Sequence, residues 1–427
     1  VYWRGAQQNL IRVNTDPGQR DQNAYIGYAE DLLNEDYSHV GNRNRMPVYS
    51  FLLSFALNPA ELREVAFVRA KYFSVGLSLA LLAAIGALFF RSFSPLEAST
   101  LLLITAFALY IFRAAYVQPE LLYYTLVAFL FVSMLRYLTR PSIGLAVAIG
   151  VLAGLAHLTK ASVLPGLVLF LLVAFGWGLG RALRDARRTR GVPIESFSHA
   201  VNLALVVGFF LLTVFPYIKN SWYRFGRPFY NVNSTFYVWY DTWEEVERGT
   251  KTQGDRSGWP DMPASQIPSY GKYIREHTPG DMVGRLLHGA SLTIDEAVGS
   301  YGYAKYIVLF SLALLLALGL NRRRLGDGFR RYPQVAIFLI VYFVAYAVLY
   351  AWFAQIVDGN RLVLALLAPL LLSLAYGIRF ALHDRNFECL GRRVSLLNLV
   401  YALFLVVVVL DIRAVTTYRI LSMFGGS

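Results

Sequence analysis

The chain has 427 residues, of which 56% are hydrophobic and only 16% charged, with 40 Lys and Arg against 27 Asp and Glu and a formal net charge of +13. Soluble domains carry roughly 25% charged residues, so this chain lacks the polar surface to cover a water-facing globule. A single cysteine, Cys389, excludes an intramolecular disulfide and a cysteine-based metal centre.

In chain order, the sequence opens with a mixed polar and amphipathic segment, 1–65, and then turns into apolar blocks. A bilayer core needs roughly 20 apolar residues per helix, and the backbone must satisfy its own hydrogen bonds there, so the blocks read as helices. The expected spans are 66–90, 95–115, 120–137, 143–158, 162–179, 200–218, 306–320, 335–352, 362–378 and 396–410. The fourth and fifth are separated by little more than Lys160; together they exceed one crossing, so two spans joined by a tight turn are expected. The first residues, Val1-Tyr-Trp-Arg-Gly, carry neither an initiator methionine nor a signal peptide. A further span is therefore expected before Val1, giving about ten helices here and about eleven in the full protein. The expected organisation is an outward segment 1–65, spans over 66–218, a long outward loop 219–305, and spans over 306–427.

Charge orients this array. Short cytoplasmic loops are enriched in Lys and Arg. The stretches 181–190, 322–331 and 379–393, with Arg91, Arg136 and Arg140, all fall on one side when the spans alternate. The positive excess is thus topological. A nucleic-acid surface needs a basic face on a folded module, and these arginines are scattered between spans. No internal repeat supports an inverted-repeat transporter. The outward loop is rich in aromatics (Trp239, Trp243, Trp259, Tyr270, Tyr273) and in Gly-Pro turns, with 280–298 expected as an amphipathic helix on the membrane face. Loops of this length usually serve as lids or binding surfaces.

The outward segments place charges at the mouths of spans: Asp21, Arg43 and Arg45, Glu120, Lys160 and Arg361. Charge at membrane depth is costly and tends to be functional. Acids and bases on one face suit a reaction that deprotonates one partner and holds a phosphate on the other. A carboxylate serves as general base, and Lys and Arg neutralise phosphate. Each residue also has a plainer reading. Asp21 is a good N-cap for a helix starting near Asn23, and Glu120 is a normal first-turn acid. Lys160 and Arg361 suit snorkelling at the interface, and Arg43 and Arg45 suit a solvated loop. His277 and His288 alone make poor evidence for a metal. Trp239 and Trp259 suit loop packing or the aromatic belt.

Five short stretches, taken in order, resemble the GT-C superfamily of polyprenyl-phosphate-sugar-dependent glycosyltransferases. They are Asp21-x-x-x-Tyr25 followed by Ala29; Arg45-x-Pro47-x-Tyr49; Pro119-Glu120-Leu121; Gly154-Leu-Ala-x-Leu-Thr-Lys160; and Pro216-Tyr-x-x-Asn220-x-x-x-x-Phe225-Gly-x-Pro228. Arg361 with Pro369 adds an Arg-led late span. The nearest branch holds the protein O-mannosyltransferases and the aminoarabinose transferase of lipid A. The resemblance implies a GT-C-like all-α fold with outward loop helices, in a bacterial inner membrane with the site facing the periplasm or exterior. It implies transfer of a sugar from a polyprenyl-phosphate-linked donor to a protein, lipid or glycan hydroxyl, with inversion; no cofactor is assigned. Asp21 is then the general base and Glu120 its partner in the catalytic set, orienting the acceptor or pairing with a basic neighbour. Lys160, Arg361, Arg45 and Arg43 are donor-phosphate ligands, and Tyr25, Tyr49 and Trp239 contact acceptor or sugar. Arg45-Met46-Pro47 stands where the aminoarabinose enzyme has an acid-Lys-Pro run, so neither aminoarabinose nor lipid A follows from the resemblance. The rival classes are a polysaccharide ligase or polymerase, which would lean on arginines and a histidine of the long loop, and a transporter or non-catalytic subunit.

Overall fold

The computed structural model describes residues 1–18, 20–35, 45–189, 194–255, 258–357, 359–389 and 392–414. The chain is an all-α polytopic membrane protein. Eight helices are long and apolar enough to cross a bilayer: Arg63–Ser92, Pro95–Arg113, Glu120–Thr139, Ala161–Ala186, Phe197–Phe225, Tyr303–Leu320, Pro333–Phe353 and Leu396–Ala414. Two shorter apolar helices, Ile143–Thr159 and Leu367–Leu382, fall on the remaining expected spans. At 1.5 Å per residue the 17-residue Ile143–Thr159 helix is about 25 Å long, short of a roughly 30 Å hydrocarbon core. It lies between the Glu120–Thr139 and Ile194–Phe225 helices, which shield it on two sides. The only strands among the described residues form a hairpin, Asn386–Cys389 antiparallel to Arg392–Ser395.

The breaks between helices have local causes. Pro95 and Pro333 stand at first helical positions, where a missing N–H costs nothing. The Ser94 N–H donates to the Glu97 carboxylate at 2.8 Å ahead of the Pro95–Thr105 helix, one half of a capping box. Lys160 is extended, at φ −159° and ψ 125°, and separates the Ile143–Thr159 helix from the turn that starts the next one. One end of the array gathers around Ser92: Arg379 donates to its carbonyl at 2.7 Å and Arg136 to its hydroxyl at 3.1 Å. Those are the loops expected on the cytoplasmic side, and they do share an end.

Small residues let the backbones close up, as they do in lipid-embedded bundles, where packing replaces the hydrophobic drive. A Cβ on Gly150 would stand 2.6 Å from the Val206 carbonyl oxygen, and one on Gly154 would stand 2.5 Å from the Thr213 Cβ. Gly150 and Gly154 lie one turn apart and form the seam with the Ile194–Phe225 helix. Gly150→Ala is expected to cost about 1–3 kcal/mol through overpacking. Gly144→Ala, with open space around it, should cost nothing. Thermal unfolding of the two variants in detergent checks the difference.

The expected amphipathic helix is present as Pro279–Gly299, opened by a capping box of Thr278 and Asp281. Its buried face docks on the Pro333–Phe353 span, where Gly289 meets the backbone of Ala351. Val283, Leu287, Ile294 and Val298 lie exposed on it. The Ile194–Phe225 helix begins and ends several residues beyond the expected span, so the long loop starts after Phe225.

Candidate functional site

The amino-terminal segment is fastened to the bundle by buried polar contacts. Lys71, 4% exposed within the Arg63–Ser92 span, donates to the carbonyls of Leu10 at 2.9 Å and Asn14 at 2.8 Å. A cation there satisfies carbonyls left open at a helix C-terminus. Asn14 and Gln22 exchange two amide hydrogen bonds of 2.8 Å. Asn14 also donates to the Ala115 carbonyl, and the Val117 N–H donates to Gln22. The start of the Arg20–Asn34 helix is thereby pinned beside the turn that precedes Glu120, and Asp21 is placed with it.

Asp21 lies inside the first turn of that helix rather than capping it. Its carboxylate takes Arg45 Nη2 on Oδ1 at 2.6 Å and Arg361 Nη1 on Oδ2 at 2.5 Å. The second contact joins residues 340 apart in sequence. The same Arg361 nitrogen stands 3.9 Å from Glu120 Oε1, which is also 3.4 Å from Lys160 Nζ. The five mouth charges that carry a described side chain therefore form one chain of ion pairs: Arg45, Asp21, Arg361, Glu120, Lys160. Arg43 lies outside the described residues.

The elements that present these groups are helix ends. Glu120 is the first residue of its helix after Pro119, and Lys160 occupies the break after Thr159. Arg361 opens the short Arg361–Ala365 helix after Gly359, whose φ of +87° favours glycine. The Tyr124 hydroxyl donates to the Arg361 carbonyl at 2.9 Å and holds that turn against the Glu120–Thr139 helix. Glu120 is only 4% exposed, and its Oε2 is buried without a hydrogen-bond partner. Asp21 remains 33% exposed. Burial alone would raise the Asp21 carboxyl, but Arg45, Arg361 and Lys160 together hold it below the ordinary carboxylate range.

Tyr25 lies at this site, with Arg45 over its ring at 5.3 Å. Tyr49 packs edge-on behind it at 5.6 Å and hydrogen-bonds Ser74, with 1% of its surface exposed. Tyr25 is therefore the one of the pair that a ligand beside Arg45 would meet. Trp239 is elsewhere. It stacks with Tyr270, Tyr273 and Trp352 in a second cluster, centred on Arg285 and Asp241. Asp241 accepts from Arg285 Nη1 at 2.7 Å and from the Tyr273 hydroxyl at 2.9 Å, and it pairs with His277 Nε2 at 2.7 Å. Arg285, 3% exposed, also donates to the carbonyls of Trp352 and Val238 and lies 4.3 Å over the Trp352 ring. This cluster clamps three parts of the long loop to the end of the Pro333–Phe353 span. Among the described residues no group of three His, Cys, Asp or Glu stands where it would hold a metal.

Sequence reasoning missed Arg113. It ends the Pro95–Arg113 span, hydrogen-bonds Asn360 beside Arg361, and lies 5.7 Å over the Tyr116 ring. A charge at the end of a span was the available signal, the same one that marks Glu120 and Arg361. No protein-family model, curated protein or solved structure matches this chain.

Proposed function

We propose that the chain is a membrane glycosyltransferase that moves a sugar from a polyprenyl-phosphate-linked donor to an acceptor hydroxyl on the non-cytoplasmic face, with inversion. One observation carries this reading. Asp21, Arg45, Glu120, Lys160 and Arg361, drawn from distant parts of the sequence, meet at the end of the helix array opposite Ser92. In the transfer, Asp21 takes the acceptor proton as the acceptor oxygen bonds to the anomeric carbon. The bond from that carbon to the phosphate oxygen breaks, and its electron pair leaves with the lipid phosphate. A phosphate is a good leaving group and needs little acid help.

Asp21 is a poor base while two arginines hold it. An arriving phosphate competes for the same guanidiniums, and drawing Arg361 toward the anion uncovers Oδ2 and raises its basicity. Donor binding thus precedes activation of the acceptor. Glu120 stays behind as counter-charge to Lys160 and Arg361, keeping both cations in place when the site is empty. The rival polysaccharide ligase or polymerase would use loop arginine and histidine, yet Arg285 and His277 are both engaged with Asp241. Ionisable groups of the proposed site sit at helix ends rather than in mid-span, which favours an interfacial reaction over a transport path.

The orientation has its own test. In a Cys389→Ser background, Ser265→Cys in the outward loop should react with an impermeant thiol reagent applied to intact cells. Ser198→Cys, exposed near the start of the Ile194–Phe225 helix, should react only after permeabilisation. Reversed labelling removes both the orientation and the periplasmic or exterior placement of the site.

A further inference from the structure

The charges of this site do not balance. Among the described residues two carboxylates, Asp21 and Glu120, face Arg45, Lys160 and Arg361, and Arg113 stands on the far flank of Arg361. The Arg113 guanidinium donates to the side-chain oxygen of Asn360, whose amide in turn donates to the Ser300 hydroxyl at 2.7 Å. Among the described residues no carboxylate makes an ion pair with it. It also borders a narrow crevice lined by Tyr49, Ser74 and Gln118, and the Gln118 side-chain oxygen is buried without a partner.

Cations packed at membrane depth without enough carboxylates repel one another and are tolerated where an anion completes the set. We propose that Arg113 is a fourth cation, beside Arg45, Lys160 and Arg361, of the site built on Asp21 and Glu120, and that the excess of positive charge there matches a lipid-linked phosphate group bearing two negative charges. This rests on the glycosyltransferase reading and sharpens its ligand. A sugar-phosphate lipid is a diester with one charge, whereas the carrier released by transfer is a monoester with two. On this count the site holds the spent carrier more tightly than the donor. Release of polyprenyl phosphate then limits turnover. A diphosphate-linked lipid has the same charge and is the second source of such a group.

The test uses the full chain in nanodiscs at pH 8, where a phosphate monoester is doubly charged. Binding of a short polyprenyl monophosphate, the doubly charged methyl ester of its diphosphate and its singly charged methyl phosphodiester is measured for wild type, Arg113→Gln, Arg113→Lys and Arg361→Gln. Wild type should bind the doubly charged lipids more tightly than the diester. Arg113→Gln should weaken the doubly charged lipids by about 10- to 100-fold, the range for a charge-assisted hydrogen bond, and the diester far less. Arg113→Lys should recover most of that loss. Whichever of monophosphate and diphosphate shows the larger loss is the group the site is built for. Unchanged binding in Arg113→Gln overturns the inference. So does an equal loss for all three lipids, which would make Arg113 a residue that only positions the Asn360–Arg361 turn. Both of those results leave the transferase reading standing if Arg361→Gln abolishes binding. If wild type binds none of the lipids, the transferase reading falls and the inference falls with it.

Discussion

Asp21→Asn should leave a folded, donor-binding protein whose sugar transfer is slower by about 100- to 10,000-fold, the usual loss when a positioned general base is removed. The substitution keeps the shape and one acceptor oxygen for Arg45 or Arg361 but cannot take a proton. Asn is itself tolerated in the first turn of a helix, so a purely structural role predicts a variant with close to full activity. Lys160→Ala and Arg361→Ala are expected to behave differently, weakening donor binding because each strips a counter-charge from the phosphate. Transfer assays with lipid-linked sugar donors, together with binding of the same donors, separate the two classes. Full activity in Asp21→Asn would end its role as base. As pH falls, protonation of Asp21 would release both arginines. Its folded-state pKa is depressed, so its ion-pair contribution is present above the ordinary carboxylate value near 3.9 and is lost as pH falls through the lower folded value.

Asp241→Ala should be the most destabilising single change in the long loop. Arg285 is buried at 3% exposure, and Asp241 is its only described carboxylate partner. Breaking a buried ion pair from one side typically costs about 3–5 kcal/mol; because Asp241 is itself a third exposed, about 3 kcal/mol is expected. The loss should show as a lower unfolding temperature and as faster hydrogen exchange across residues 270–299. His277 gives the same cluster a pH dependence. Burial pulls its imidazole down, but the Tyr273 carbonyl and the Asp241 carboxylate, with Asp281 further off, outweigh that and raise it. The imidazole also stacks on the Tyr273 ring at 3.9 Å, while Arg285 faces it across Asp241. A raised folded pKa means that the His277 contribution is fully present below the unfolded value near 6.5 and fades as pH rises through the folded value. His277→Ala should therefore destabilise the loop at pH 5.5 and have little effect at pH 8.5. An equal effect at both values would assign the histidine to packing against Tyr273 alone.

The membrane character of the chain was legible without coordinates, because hydropathy is additive along a segment and a bilayer imposes a fixed length. Every expected span lies on an apolar helix, and a break between helices falls at Lys160, between the fourth and fifth expected spans. The side of the basic loops was legible for a similar reason: Arg91, Arg136 and Arg379 each sit next to a span end, so alternation alone groups them, and Ser92 is where they converge. Five mouth charges of the site were also readable, since a charge at the end of an apolar block is visible one residue at a time. What no single residue reveals is who pairs with whom. In the sequence Asp21 reads as a helix cap or as a base, and only the packed chain places it inside the first turn and pairs it with Arg45 and with Arg361, the latter 340 residues away. Arg113 was passed over because its pairing depends on Asn360, which arrives from the other half of the chain. Trp239 was grouped with the site because aromatic residues in a loop carry no address. Its place beside Arg285 and Trp352 is set by how the Pro279–Gly299 helix docks at Gly289. Hydropathy and charge bias act locally and are written in the order of residues. Ion-pair partners and ring stacking depend on distances between segments, and those exist only once the helices have packed.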